Sequence, residues 1–263
     1  MPTKYVWLLP VLGFWHILLH SAKALLKRYF LAGIQAICRS SRADDKHALG
    51  GMKYRRSHHW LVATFEGFWY CVLKQYMDLH KTDAQGGAVR LTADEVCSNV
   101  QPWLRHNADN HATLRLWTTL ALDDMPSYLA MRFGARSGDY LLRLAGLREF
   151  ALFFMGTGND RYQWLTMNHL SDHARMPDSD VAILARMTSA SWEDRPFANV
   201  ALDECMEMFD RVIKQELHRI TPGYIEQLGP IVENRRIALD EVEHRFYKPR
   251  KARNTVETLV KEL

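Results

Sequence analysis

Carboxylates gather closely enough to suggest chemistry in one stretch of this 263-residue chain, residues 199–217, which read NVALDECMEMFDRVIKQEL. At roughly 100° per residue, Ala201, Leu202, Cys205, Met206, Met208, Phe209, Val212 and Ile213 fall on one apolar arc of a helix. Asp203, Glu207, Asp210 and Lys214 fall opposite, and Glu204 lies at the edge of the arc beside Met208. Acids of this kind can hold magnesium or manganese for phosphodiester chemistry, in which two ions polarise the attacking and leaving oxygens. A single helix cannot supply such a site, so further acids must come from strand ends. The plainer reading is a solvated face laced by ion pairs, Glu207 with Arg211 and Asp210 with Lys214, each in the favourable i,i+4 order.

Other reactive residue types are less organised. His16 with His20, and His169 with His173, have the spacing of a helical zinc pair, but no third ligand is evident and neither pair carries the glutamate of a zinc protease. Lys46, Lys53, Arg55 and Arg56 sit in or beside a polar loop and could meet phosphate, or simply face water. No glycine-rich phosphate loop, serine elbow or cysteine cluster occurs. Cys38, Cys71, Cys97 and Cys205 are scattered through apolar helical surroundings and read as buried thiols in a reducing compartment.

The elements that must position these residues are overwhelmingly helical. Hydrophobic content of 48% with 24% charged residues is that of a folded chain, and a formal charge of +4 permits contact with nucleic acid or an anionic surface. Residues 6–9 read as a short buried strand broken at Pro10. A turn at Gly13 then leads into a helix to about Arg39. The apolar residues 5–19 followed by Ala22-Lys23-Ala24 also resemble a secretory signal, but the helical phase runs on from Trp15 to Ile37 without a stop. Ser57 is a plausible cap for an aromatic-rich helix to about His80, apolar on nearly all sides and so expected at the centre. Thr92 and Glu95 have capping-box spacing, and Pro102 is expected to end or bend the helix they open. Helices follow at 111–132 with a break at Pro126, at 139–155, 161–174 and 180–187, then a loop over 189–199. No strand alternation recurs after Pro10.

Three loose pieces, taken in order, resemble a family of unknown-function domains in transposon-derived eukaryotic proteins, itself similar to transposase cores of the ribonuclease-H-like, acid-metal kind. They are Leu8 to His16 (LLPVLGFWH), Arg136 to Arg143 with Tyr162 and His169-Leu170, and Ala201 to Glu204 followed by Glu207 and Lys214. The resemblance implies that His16 belongs to a strand-end motif and that Glu204 matches the last metal-binding acid, with Asp203, Glu207 and Lys214 in the same motif. It also implies that the acid expected beside the aromatic-histidine pair is replaced by Gly13-Phe14, and that the strands bearing another acid would precede Met1. The metal site is then incomplete, and no cofactor is expected beyond magnesium or manganese should ancestral activity survive.

The expected fold is mainly α, a multi-helix bundle with one short N-terminal strand, or a truncated ribonuclease-H-like core carrying a helical insertion. Residues 1–246 form one domain on this reading. Within it, 1–40 supply the late strand and helix of the core, 57–188 the insertion, 199–217 the acidic helix and 222–246 the C-terminal helices, with 247–263 a flexible basic tail. The expected function is inactive nuclease ancestry with residual DNA or protein binding in an intracellular setting, the nucleus included. A helical protein-interaction module and a secreted or membrane-anchored helical protein stand as alternatives.

Overall fold

The computed structural model describes residues 12–40, 54–82, 87–88, 90–191 and 195–216, with the backbone alone at residue 40 and at 212–216. The expected strand at 6–9, the helices at 222–246, the tail at 247–263, and Lys46 and Lys53 lie outside the described residues. The rest is mainly helical. In chain order come α1 (Phe14–Tyr29), α2 (Gln35–Ser40), α3 (Tyr54–His80), α4 (Ala93–Ala108), α5 (Ala112–Thr119), α6 (Met125–Ser137), α7 (Tyr140–Gly156), α8 (Asp160–Arg175) and α9 (Asp178–Met187). A two-stranded antiparallel pair, β1 (Ser189–Ala190) and β2 (Val200–Ala201), then leads directly into α10 (Leu202–Glu216).

The central helix is α1, not α3. Ile17, Leu18, Ala22, Leu25, Leu26 and Tyr29 are all buried to 1% exposure or less, and α1 packs against α3, α6, α7 and α10. Each such large apolar side chain contributes roughly 1.5–3 kcal/mol on burial. The helix runs straight through Ala22-Lys23-Ala24, where a cleavage site was the alternative expectation. By contrast α3 is one-sided: Trp60, Leu61, Phe68, Val72 and Tyr76 face inward while Tyr70 and Met77 are exposed. Ser57 does not cap it, because Tyr54 is already helical and Ser57 lies buried inside the helix. No described helix is long and apolar enough to cross a membrane.

The helix expected to run unbroken to about Arg39 is interrupted, whereas the break expected at Pro126 falls just before it. Between α1 and α2 the chain widens into a π turn at Phe30–Ile34, with Gly33 at φ 137°. The break before Pro126 is a second π turn, Leu120–Asp124, and the proline sits in the first turn of α6, where no N–H is needed. Tyr29 Oη donates to the Asp124 carboxylate and Trp117 Nε1 donates to the Ala32 carbonyl at 2.8 Å, so the two widened turns are tied together. Pro102 neither ends nor interrupts α4. It lies on the exposed side, where water can take the carbonyl that its missing N–H leaves. The capping box forms as the sequence predicts, with Glu95 N–H donating to Thr92 Oγ1 at 3.3 Å and Thr92 N–H to Glu95 Oε2 at 2.8 Å. Cys97 is exposed and Cys71 half-buried, so only Cys38 and Cys205 are the buried thiols expected.

The β1–β2 pair corrects the expectation of a loop over 189–199. Strands of two residues carry no alternation to read. What holds this turn in place is Arg143, which is fully buried on α7. Its guanidinium donates to the Thr188 carbonyl at 3.3 Å and to Thr188 Oγ1, and lies 4.1 Å from the Phe14 ring centroid. Burial pushes it down to about 10, still charged at neutral pH. The same Thr188 carbonyl accepts from Leu202 N–H at 3.2 Å. One side chain thus joins α7, the end of α9 and the start of α10.

The closest helix pair is α6 with α7, and glycine makes the approach feasible. A Cβ at Gly146 would meet the Ser127 carbonyl oxygen at 2.5 Å and Met131 N at 2.8 Å, both backbone atoms that cannot swing aside. Gly146→Ala should therefore destabilise the chain by about 1–3 kcal/mol through overpacking, as a lower urea midpoint with unchanged slope. An unchanged midpoint would show that the two helices are free to part.

One buried histidine, His169, and one half-buried histidine, His58, generate an acid sensitivity. Burial, aided by Arg132, holds His58 down at about 4, and burial, aided by His173, holds His169 at about 4. Both lie below the 6.5 of an exposed imidazole, so as pH falls through that value the unfolded chain takes up protons before the folded one does. Stability should be full above about pH 6.5 and drain away toward pH 4, by roughly 2–3 kcal/mol for each histidine. Urea midpoints measured from pH 7.5 to 4.5 should fall, and His169→Gln should flatten the fall. A wild-type profile flat over that range would contradict the burial of both rings.

Candidate functional site

The acidic helix and the His16 segment meet, although more than 180 residues separate them. The first turn of α1 explains the attraction. A helix N-terminus leaves N–H groups without intrahelical partners and carries partial positive charge. Here the cap position is Gly13, which has no side chain to offer. Asp203 of α10 fills the role from outside: Oδ1 accepts from Trp15 N–H at 3.0 Å, and Oδ2 accepts from His16 N–H at 3.2 Å. The glycine is required by the same contact, because a Cβ at position 13 would stand 2.7 Å from Asp203 Oδ2.

His16 is clasped by the same helix. Its Nδ1 lies 3.2 Å from Asp203 Oδ2 and its Nε2 lies 3.8 Å from Glu207 Oε1. Asp203 and Glu207 are one turn apart and therefore project on the same side of α10. Asp203 is turned inward, with a side chain 20% exposed, whereas Glu207 stays partly open to water at 41%. The buried face of α10 is instead Glu204, Cys205 and Met208, continuing from Ala201 of β2, with Leu202 45% and Met206 64% exposed, although both were assigned to the apolar arc. The arc is rotated because α10 docks by giving its carboxylates to α1. Burial pushes the Cys205 thiol up to about 11, so it is not a nucleophile at neutral pH.

Glu204 occupies a different setting from its neighbours. It is 8% exposed, and its Oε2 lies 4.0 Å from Arg132 Nη1 of α6. Burial pushes its carboxyl up, while Arg132, Arg55 and Arg136 pull it back down. Arg132 also lies over the Tyr54 ring at 5.5 Å from its centroid, and the Arg136 carbonyl accepts from Asn199 N–H at 3.1 Å. Around this corner stand Trp15, with its ring 6.4 Å from Tyr54, and His58, whose Nδ1 lies 2.8 Å from Tyr128 Oη.

The residues singled out in the sequence thus divide. His16, Asp203 and Glu207 come together. Glu204 stands apart, facing guanidinium groups rather than a second carboxylate, and Arg55 joins it there while Arg56 is exposed beside it. Lys214 lies on α10. Among the described residues no group of three or more histidine, cysteine or acidic side chains could hold a metal ion, the pairs His16 with His20 and His169 with His173 included. This donor set does not fit a magnesium or manganese pair, since Asp203 spends its oxygens on backbone N–H groups and Glu204 already faces a cation. Arg132 was missed in the sequence, and Arg136 and Arg143 were named only as the ends of a resemblance piece, with no role assigned. The available signal was the four-residue spacing of Arg132 and Arg136 just ahead of Gly138, the left-handed cap of α6. Comparison of the chain with protein-family models, with curated proteins and with solved structures finds no match.

Because Gly13 and Asp203 act through one contact, their substitutions should not add. Asp203→Ala removes the acceptor for two N–H groups and should destabilise the chain by about 1–3 kcal/mol. Gly13→Ala should have a similar effect by expelling the carboxylate. The double substitution should be little worse than Asp203→Ala alone, since the clash partner is then gone. Fully additive losses in urea denaturation would separate the two residues.

Proposed function

We propose that this chain is a helical, nucleic-acid-binding module of transposon-derived, ribonuclease-H-like ancestry that does not cut its ligand. The observation that carries the binding half is electrostatic. Arg132 of α6 lies 4.0 Å from the buried Glu204 carboxylate, and Arg55 and Arg136 add positive charge close enough to pull that carboxyl down. Nucleic acid is the polyanion such a corner suits, in line with the +4 charge of the whole chain. Ancestry is supported by the resemblance and by the packing of the Gly13-Phe14-Trp15-His16 segment against the acidic helix. The loss of cutting is supported by the present employment of the acids, Asp203 as a helix cap and Glu204 as a counter-charge for arginine. A nuclear location follows from this reading.

Binding of a labelled duplex should be measurable at low salt and should weaken steeply as salt rises, because phosphate contacts release counterions. Incubation with magnesium or manganese should leave the DNA intact, with Glu204→Ala no different from wild type. Metal-dependent cleavage that disappears in Glu204→Ala would reverse the non-catalytic half of the proposal, and absence of binding at low salt would remove the other half.

A second reading, a protein-interaction module, is favoured by one specific surface. Helix α7 is rich in apolar residues on every side, and Leu141, Leu152 and Met155 are 67%, 66% and 54% exposed, with Trp164 on α8 66% exposed. A helix of that composition ordinarily lies inside a core. Failure of DNA binding at low salt would favour this reading.

A further inference from the structure

We infer that Arg143, Tyr140, His169 and His173 enclose a binding site for one small monovalent anion of the size of chloride, where α7 and α8 meet the start of α1. The site stands apart from the nucleic-acid reading. With Phe14, the four side chains form a closed circuit of contacts. The Arg143 guanidinium carbon lies 4.1 Å from the Phe14 ring centroid and 5.4 Å from that of Tyr140. The Tyr140 and His173 rings are 5.6 Å apart, and Phe14 meets His169 edge-on at 5.8 Å. His169 and His173, one turn apart on α8, close the circuit.

The side chains of this circuit carry buried polar atoms with no hydrogen-bond partner: Arg143 Nε, Tyr140 Oη and Nε2 of both histidines. Arg143 is fully buried, and Tyr140 and His169 are 3% and 9% exposed. Thr166, also fully buried, adds an unpartnered Oγ1 one turn before His169 on the same side of α8. One buried polar atom left unpaired is already costly. Several on touching side chains call for an occupant.

The chemistry of these atoms selects that occupant. Arginine Nε can only donate, and the phenol hydroxyl and a neutral imidazole protonated at Nε2 can donate as well. Arg143, pushed down by burial to about 10, keeps its charge at neutral pH. His169, held by burial at about 4, and His173, also pushed down by burial, are neutral there. The circuit therefore carries one positive charge. Among the described residues the guanidinium hydrogen-bonds Thr188 alone, which is uncharged. Asp139 and Asp203 act on it from farther off, and their carboxylates accept from N–H groups of Leu142, Trp15 and His16. Water would pair the donors but leave the charge unanswered. A monovalent anion does both, whereas a divalent one leaves an excess charge buried. A divalent cation, which a helical histidine pair otherwise suits, would meet the guanidinium in the same circuit.

The test follows the thermal midpoint of the full chain at neutral pH in sodium chloride and in sodium gluconate of equal ionic strength, gluconate being too large to enter. Chloride should raise the midpoint saturably, by roughly 4 °C, and bromide should do the same. Tyr140→Phe keeps the ring and removes an unpaired hydroxyl. Its midpoint in gluconate should match or exceed that of wild type, and the chloride rise should be largely lost. Should Tyr140→Phe fail to fold, His173→Leu, at the half-buried side of the circuit, carries the same test and should also lose the rise. An equal, unsaturating response of wild type to both salts overturns the site. A wild-type chloride rise in the folded variants overturns its placement. A Tyr140→Phe midpoint well below wild type in gluconate overturns the reading of that hydroxyl as unpaired. A midpoint raised by zinc but not by chloride, and no longer raised in His173→Leu, overturns the anion in favour of a metal.

Discussion

The exposed positive end of α1 is the constraint on which the arrangement of the C-terminal part of the domain depends. A central helix buried on most of its circumference must still satisfy the N–H groups of its first turn, and its cap position is a glycine. Among the described residues no neighbouring side chain caps them. The carboxylate of Asp203 does so, and in reaching α1 it fixes the rotation of α10, which sends Glu204 inward and leaves Leu202 and Met206 outside. The corner of arginine and glutamate is a consequence of that rotation. So is the clasp on His16, since Glu207 follows Asp203 by one turn.

Arg143 supplies the second half of the constraint. Asp203 can reach α1 only if the chain enters α10 at the right height, and that is set by Thr188. Its carbonyl serves both the buried guanidinium and the first N–H of α10. A fully buried arginine without a carboxylate in hydrogen-bond contact is costly unless its surroundings are polar or aromatic. Here they are the Thr188 oxygens and the faces of Phe14 and Tyr140. Phe14 belongs to the same first turn that Asp203 caps. The two contacts therefore hold α1 from adjacent sides and depend on each other.

How much of this could be read from the chain varies with the range of the interaction responsible. The helices, the Thr92–Glu95 box and the break near Pro126 were legible because they are set by neighbours within a turn or two. The centrality of α1 was not, because α1 and α3 have similar apolar content and only packing decides which is enclosed. The two-residue strands left no periodic trace. At the site, the choice of Asp203, Glu207 and His16 as a group was available from type and order, but their geometry was not. Helical periodicity assigned Asp203 to the polar side, and it took the unsatisfied end of a distant helix to make the polar side an interior one. Arg132 and Arg136 were passed over for a related reason. On a helix taken alone they are ordinary surface cations, and their meaning depends on the carboxylate that α10 brings to them.

This bears on how an acid in a helix should be read. A carboxylate that holds metal needs other carboxylates turned toward it, whereas one that balances arginine needs the reverse, and residue type does not distinguish the two. Glu204 was the acid at the edge of the apolar arc, and by position the best candidate for metal. Its surroundings point the other way. Burial alone would drive it to take up a proton, and guanidinium groups from two neighbouring helices oppose that. An acid held between burial and arginine charge is tuned for electrostatic balance. What it balances is Arg132, whose Nη1 lies 4.0 Å from its Oε2. One helix therefore carries two separate uses of acid a single residue apart: Asp203 caps α1, and Glu204 answers an arginine of α6.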